Sequence, residues 1–65
     1  MKVVYFDKET SEHVTISEVY KIEEIGKGHV LYAEGIKVYW YEDKDHVYKK
    51  HAYIPSIYVT GIGIN

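Results

Sequence analysis

The sequence predicts an all-β protein: a small five- or six-stranded antiparallel sheet or an SH3-like barrel, with one short helical turn near Ser17–Lys21 as an alternative local feature. Short runs rich in Val, Ile and Tyr recur at hairpin spacing, and glycines, charged clusters and a single proline punctuate them. The one stretch with helical spacing is short and β-branched, which disfavours a stable helix. With 65 residues, 46% of them hydrophobic, the chain has material for one core, so residues 1–65 are read as a single small β domain.

The elements follow in order. Val3-Val4-Tyr5-Phe6 is a β-favouring run closed by Asp7, and Lys8 to Glu12 has turn character. In His13 to Ile25 the residues Ile16, Val19, Ile22 and Ile25 recur every third position, and Ser17 could cap a helix stopped by Gly26. The preferred reading is an extended segment with a bulge near Glu23 and Glu24, which would change the facing parity between Ile22 and Ile25. Gly26-Lys27-Gly28 supplies a hairpin loop before His29-Val30-Leu31-Tyr32, and Glu34-Gly35 turns the chain again.

Alternation then places Ile36, Val38 and Trp40 on one face and Lys37, Tyr39 and Tyr41 on the other, the first set being the predicted core. Glu42 to Asp45 reads as a charged turn before a strand over His46 to Tyr53. Pro55 lacks an amide donor, so it should interrupt pairing and start a link to Ile57-Tyr58-Val59-Thr60. The tail Gly61-Ile62-Gly63-Ile64-Asn65 reads as apolar and flexible, with isoleucines that call for something to pack against.

Composition narrows the function classes. No cysteine is present, so neither disulfides nor a thiolate zinc site can staple the fold. Ordering costs about 1.5 kcal/mol per residue against roughly 25 cal/mol per Å² of buried apolar surface, a balance near zero at this size, so homo-oligomerisation is expected. Eight lysines and no arginine face ten carboxylates, which argues against duplex DNA: there is no basic stripe for phosphates and no bidentate guanine reader. Asp7 comes too early for a signal-peptide apolar region, and no apolar run approaches ~18 residues, so no membrane contact and a cytoplasmic location are expected.

Eight tyrosines against one Phe and one Trp are the odd feature of the composition. On strands the ordinary use of Tyr is sheet packing and subunit contact. The alternative use is a stacking platform, since flat rings accept any nucleobase. Tyr39 and Tyr41 share a face with Lys37, and Tyr48 and Lys50 share a parity across the next turn. Together with His51 these are the candidate ligand-binding residues: Lys37, Tyr39, Tyr41, Tyr48, Lys50 and His51, aromatic rings for a base and ammonium groups for a phosphate.

Other chemistries fare worse. The four histidines show neither i, i+4 helical nor i, i+2 strand spacing, and five residues separate His46 from His51, which a regular strand would send to opposite faces. No metal site and no cofactor are expected. Ser11, Ser17 and Ser56 sit in no nucleophile elbow, Glu23-Glu24 read as solvated charges, and neither glycine pair precedes a helix that could receive a phosphate. The chain is therefore read as non-catalytic.

In size and composition it resembles the short accessory proteins of phages and mobile elements, some of which block host defence by sequestering nucleotide signals. That resemblance implies an anti-defence sponge: a small oligomer holding a nucleotide or cyclic nucleotide between subunits. The alternative is an acidic inhibitor or adaptor docking on a basic protein, such as a nucleic-acid-handling or defence enzyme. A structural subunit of a larger assembly is the blandest reading. Charge decides between the first two: lysines beside the tyrosines favour an anionic ligand, and carboxylates beside them favour a basic protein.

Overall fold

A computed structural model describes residues 1–26 and 34–64. Strands β1 (Lys2–Asp7), β2 (Glu12–Ile16), β3 (Val19–Ile25), β4 (Gly35–Tyr41) and β5 (Lys49–Pro55) are followed by a 3-10 turn, Ser56–Tyr58, and by β6 (Val59–Gly63). They form two antiparallel three-stranded sheets, ordered β2-β1-β6 and β3-β4-β5. The loop residues Lys27 and Gly28 and the expected run His29–Tyr32 lie outside the described residues.

The β1–β2 hairpin closes as its polar residues demand. The Asp7 carboxylate accepts the Glu9 amide at 2.9 Å, and Ser11 takes a positive φ of 58°. Only Ser17 and Glu18 separate β2 from β3, and Glu18 also sits at φ 58°. This bend stands where the alternative reading puts a helical turn at Ser17–Lys21, and the segment is extended on both sides of it as preferred. The Val19 amide donates to the Met1 carbonyl at 3.0 Å, and the Glu18 carbonyl accepts the Tyr41 amide at 3.2 Å, so the backbone groups a helix would use are engaged between strands. The three-residue spacing of Ile16 and Val19, both buried, comes from the bend and not from a helical period.

A second correction concerns the bulge. The β3–β4 register shifts between Val19 and Lys21, while Glu23 and Glu24 pair regularly with Lys37 and Ile36. The parity change therefore falls at Tyr20. Counted as one bent strand, β2 and β3 give five strands, and counted apart they give six. The described strands thus form two small antiparallel sheets of three strands each, with a 3-10 turn before the last strand.

The core lies between the sheets and consists of Val3, Ile16, Val19, Ile36, Val38 and Ile54. All six are β-branched, suited to a pleated surface, and each contributes about 1.5–3 kcal/mol on burial. Tyr5, Ile22, Trp40, Tyr58 and Val59 pack against them half-buried. The assignment of Ile36, Val38 and Trp40 to the inner face of β4 is thus what the structure shows.

Two segments differ from expectation near β5. The strand expected over His46–Tyr53 begins only at Lys49, because Asp43 organises the preceding residues as a wide loop: its carboxylate accepts the Val47 amide at 3.0 Å and the Tyr48 amide at 2.9 Å. His46 takes φ 58° within it. After Pro55, which ends β5 opposite Gly35, Ser56–Tyr58 is a 3-10 turn and not the start of a strand. Gly61–Gly63, expected in a flexible tail, belong to β6 and pair with β1, Ile62 lying opposite Val3.

Gly35 opens β4 and is buried beneath the Tyr53 ring, which a Cβ at that position would overlap. Here a glycine is required by close approach, an aromatic ring of the neighbouring strand covering the gap it leaves.

Candidate functional site: the outer face of the second sheet

With Ile36, Val38 and Trp40 turned inward, the opposite parity of β4 carries Lys37, Tyr39 and Tyr41 on the outer face of β3-β4-β5. Register then determines their neighbours. Tyr39 lies between Lys21 of β3 and His51 of β5, Lys37 lies between Glu23 and Tyr53, and Tyr41 pairs with Lys49.

The bulge at the start of β3 enlarges this face. Val19 stays inside opposite Trp40 and Lys21 faces out opposite Tyr39, leaving Tyr20 as the extra residue. Its ring lies 4.5 Å from that of Tyr41 and 6.1 Å from that of Tyr39. His46, delivered by the β4–β5 loop, stacks on Tyr41 at 4.3 Å with 13° between planes, and the His51 ring is 5.8 Å from Tyr39. Five rings, His46, Tyr41, Tyr20, Tyr39 and His51, form a row across the sheet. The two histidines expected on opposite faces share this one, because His46 is not on the strand.

Charge concentrates on Tyr39. The Lys21 and Lys37 ammonium groups lie 5.3 and 5.5 Å from its ring centroid, within cation–π range. Its hydroxyl donates to the Glu23 carboxylate, and Lys21 stands 3.9 Å from the same carboxylate. That hydrogen bond is the main reason the Glu23 carboxyl is held below its ordinary range, with Lys21 and Lys37 adding to it against a smaller cost of desolvation. The same bond raises the Tyr39 phenol above its usual value, so Glu23 is ionised and Tyr39 neutral near pH 7. At the edge of the row, His46 lies 3.5 Å from the Glu18 carboxylate.

Of the residues singled out from the sequence, Lys37, Tyr39, Tyr41 and His51 come together on this face. Tyr48 and Lys50 do not. Lys50 lies opposite Trp40 on the inner parity of β5, with its ammonium in solvent 3.9 Å from Glu42, and Tyr48 stands in the loop, 66% exposed. The apolar pair Ala52 and Ile54 was the usable signal, since it sets the even positions of β5 inward and sends Lys49, His51 and Tyr53 outward. Tyr20 and Lys21 were missed because their orientation depends on the bulge.

A separate cleft of about 330 Å³ opens where β1 meets β5 and the 3-10 turn, lined by Tyr5, Tyr53, Pro55 and Tyr58 together with Asp7 and Glu9. The Lys8 ammonium lies 5.8 Å from the Tyr58 ring centroid. Among the described residues, no three His, Asp or Glu side chains converge as metal ligands, and no helix is long and apolar enough to cross a membrane. No family model, curated protein or solved structure matches the chain.

Proposed function

We propose that the outer face of β3-β4-β5 binds a base-bearing anion, a nucleotide or cyclic nucleotide, and holds it without chemical change. The observation that carries this reading is the meeting of two lysines on one ring of an aromatic row: Lys21 and Lys37 flank Tyr39, while Tyr20 and Tyr41 stand beside it. A base stacked on tyrosine gains ~1–3 kcal/mol. The ammonium groups supply the complementary charge for a phosphate. Glu23 orients the Tyr39 ring through its hydroxyl and leaves a net positive face, with Lys21, Lys37 and Lys49 against the carboxylates of Glu23 and, at the edge, Glu18. The role we propose for the row is capture, the behaviour of a sponge for a nucleotide signal.

Titration of the protein with nucleotides, nucleosides and inorganic phosphate, followed by NMR, tests the assignment. Nucleotides should shift the ring signals of Tyr20, Tyr39 and Tyr41, bind more tightly than either half alone, and be recovered intact after denaturation. Replacing Lys21 and Lys37 together by Gln should remove most of the salt dependence. Shifts confined to other surfaces, or recovery of a hydrolysed product, would overturn the proposal.

The cleft favours the second reading, docking on a basic protein. Its tyrosines and the carboxylates of Asp7 and Glu9 suit a cationic side chain, and the contact of Lys8 with Tyr58 is an intrachain example of that chemistry. A lysine-rich peptide that shifts Tyr5 and Tyr58 and leaves Tyr39 unmoved would give that reading its address.

A further inference from the structure

Among the described residues four strands end the two sheets, and they are not equally protected. An unpaired strand edge templates pairing with another chain, and proteins blunt such edges with charge, proline or bulges. β2 carries Glu12 and His13, β3 carries Lys21, Glu23 and Glu24, and β5 carries Lys49, Lys50 and a terminal proline. β6 reads Val-Thr-Gly-Ile-Gly, with neither charge nor proline. Its single irregularity lies at its start, where the register with β1 shifts and Thr60 bonds the Val4 carbonyl at 3.1 Å. From Gly61 onward the strand is regular and plain.

Its side chains point the same way. Ile62 is 39% exposed although it lies opposite the fully buried Val3, and Ile64 is 94% exposed. Nothing lies within 4 Å of where a Cβ at Gly61 or Gly63 would stand, so the strand can be approached closely. Among the described residues β6 pairs with β1 alone.

We infer that β6 is a self-association edge, pairing antiparallel with β6 of a second copy about a two-fold axis. A second copy is the occupant because the segment is uncharged and therefore self-compatible: two-fold pairing sets no like charges against each other, and it brings Ile62 of each copy beside the other. The joined sheet would run β2-β1-β6 into its symmetry mate. The assembly stops at two, since the new outer edges are the charged β2 strands. A core of six buried side chains among the described residues gives the chain reason to bury more.

Light scattering and sedimentation measure the outcome directly. The wild-type chain should show twice the 7.6 kDa monomer mass at high micromolar concentration. Gly61→Lys, which meets open space and so leaves the monomer fold intact, should halve that mass with the circular dichroism unchanged. If Gly61→Lys fails to fold, Gly63→Lys makes the same test at the next outward position. A wild-type monomer, an assembly larger than a dimer, or a folded lysine variant that stays dimeric would each overturn the inference. Nucleotide binding need not change in these variants, because β6 and the aromatic row lie on different sheets.

Discussion

The two sheets share one core and one bent segment, yet their outer faces have little in common. On β2-β1-β6 the register places Lys2, Val4 and Phe6 outward beside His13, Thr15, Gly61 and Gly63. Among the described residues its ring contact is one edge-on pair, Phe6 with His13 at 5.4 Å. On β3-β4-β5 the corresponding positions hold the five-ring row with lysines around Tyr39. Inward, both sheets present mainly Val and Ile side chains, with Tyr5 on the first and Trp40 on the second packed against them. The first sheet covers its side of the core without an aromatic outer face, and the rings of the second lie on the side turned away from that core.

Breaking the shared part should have the largest effect. Ile36 is fully buried on the central strand of the second sheet, and Ile36→Ala should cost about 2–5 kcal/mol of stability in chemical denaturation. For a domain this small such a loss is a large share of the whole, so both sheets should unfold together. Two separate transitions would show that the sheets are independent units.

A contrast between the outer faces comes next in size. Tyr39→Ala should weaken nucleotide binding about tenfold, the loss of one stacking partner, and Phe6→Ala on the first sheet should leave affinity unchanged. Calorimetric titration of both variants decides the matter. Equal losses would mean that the row matters only through stability.

The smallest effect is the dependence of stability on pH, since the groups concerned lie at the surface and are screened. Glu23, its carboxyl lowered by the Tyr39 hydroxyl, contributes stability that is complete above the ordinary carboxylate pKa and fades as pH falls through its lowered folded value. Tyr39, raised by Glu23, contributes stability that is complete below the ordinary phenol pKa and fades as pH rises through its raised folded value. Asp43, lowered chiefly by the Tyr48 amide, acts on the acid side alone. Glu23→Gln should therefore flatten both limbs of a plot of denaturation midpoint against pH, and Asp43→Asn only the acid limb.

Strict alternation made β4 legible from sequence: Ile36, Val38 and Trp40 against Lys37, Tyr39 and Tyr41 define both faces without any knowledge of partners. What escaped was whatever depends on an irregular backbone. Glu18 and His46 adopt positive φ, yet neither residue type announces it as glycine would. The bulge that turns Tyr20 and Lys21 to one side has no residue signature of its own. The Asp43 carboxylate draws Val47 and Tyr48 into its turn, which delays β5 and removes Tyr48 from the expected face. Two of the five rings, Tyr20 and His46, follow from such local exceptions, and only register and loop geometry place them on the row.

Gly35 offers a built-in reporter of all this. One of its α-hydrogens stands where a Cβ would meet the Tyr53 ring, so that hydrogen lies against the hydroxyl end of the ring. Its proton resonance should be shifted by the ring current while β4 and β5 remain in register, and should return to the ordinary glycine region when they part. A single resolved NMR line can thus follow the integrity of the second sheet through every titration and substitution described above.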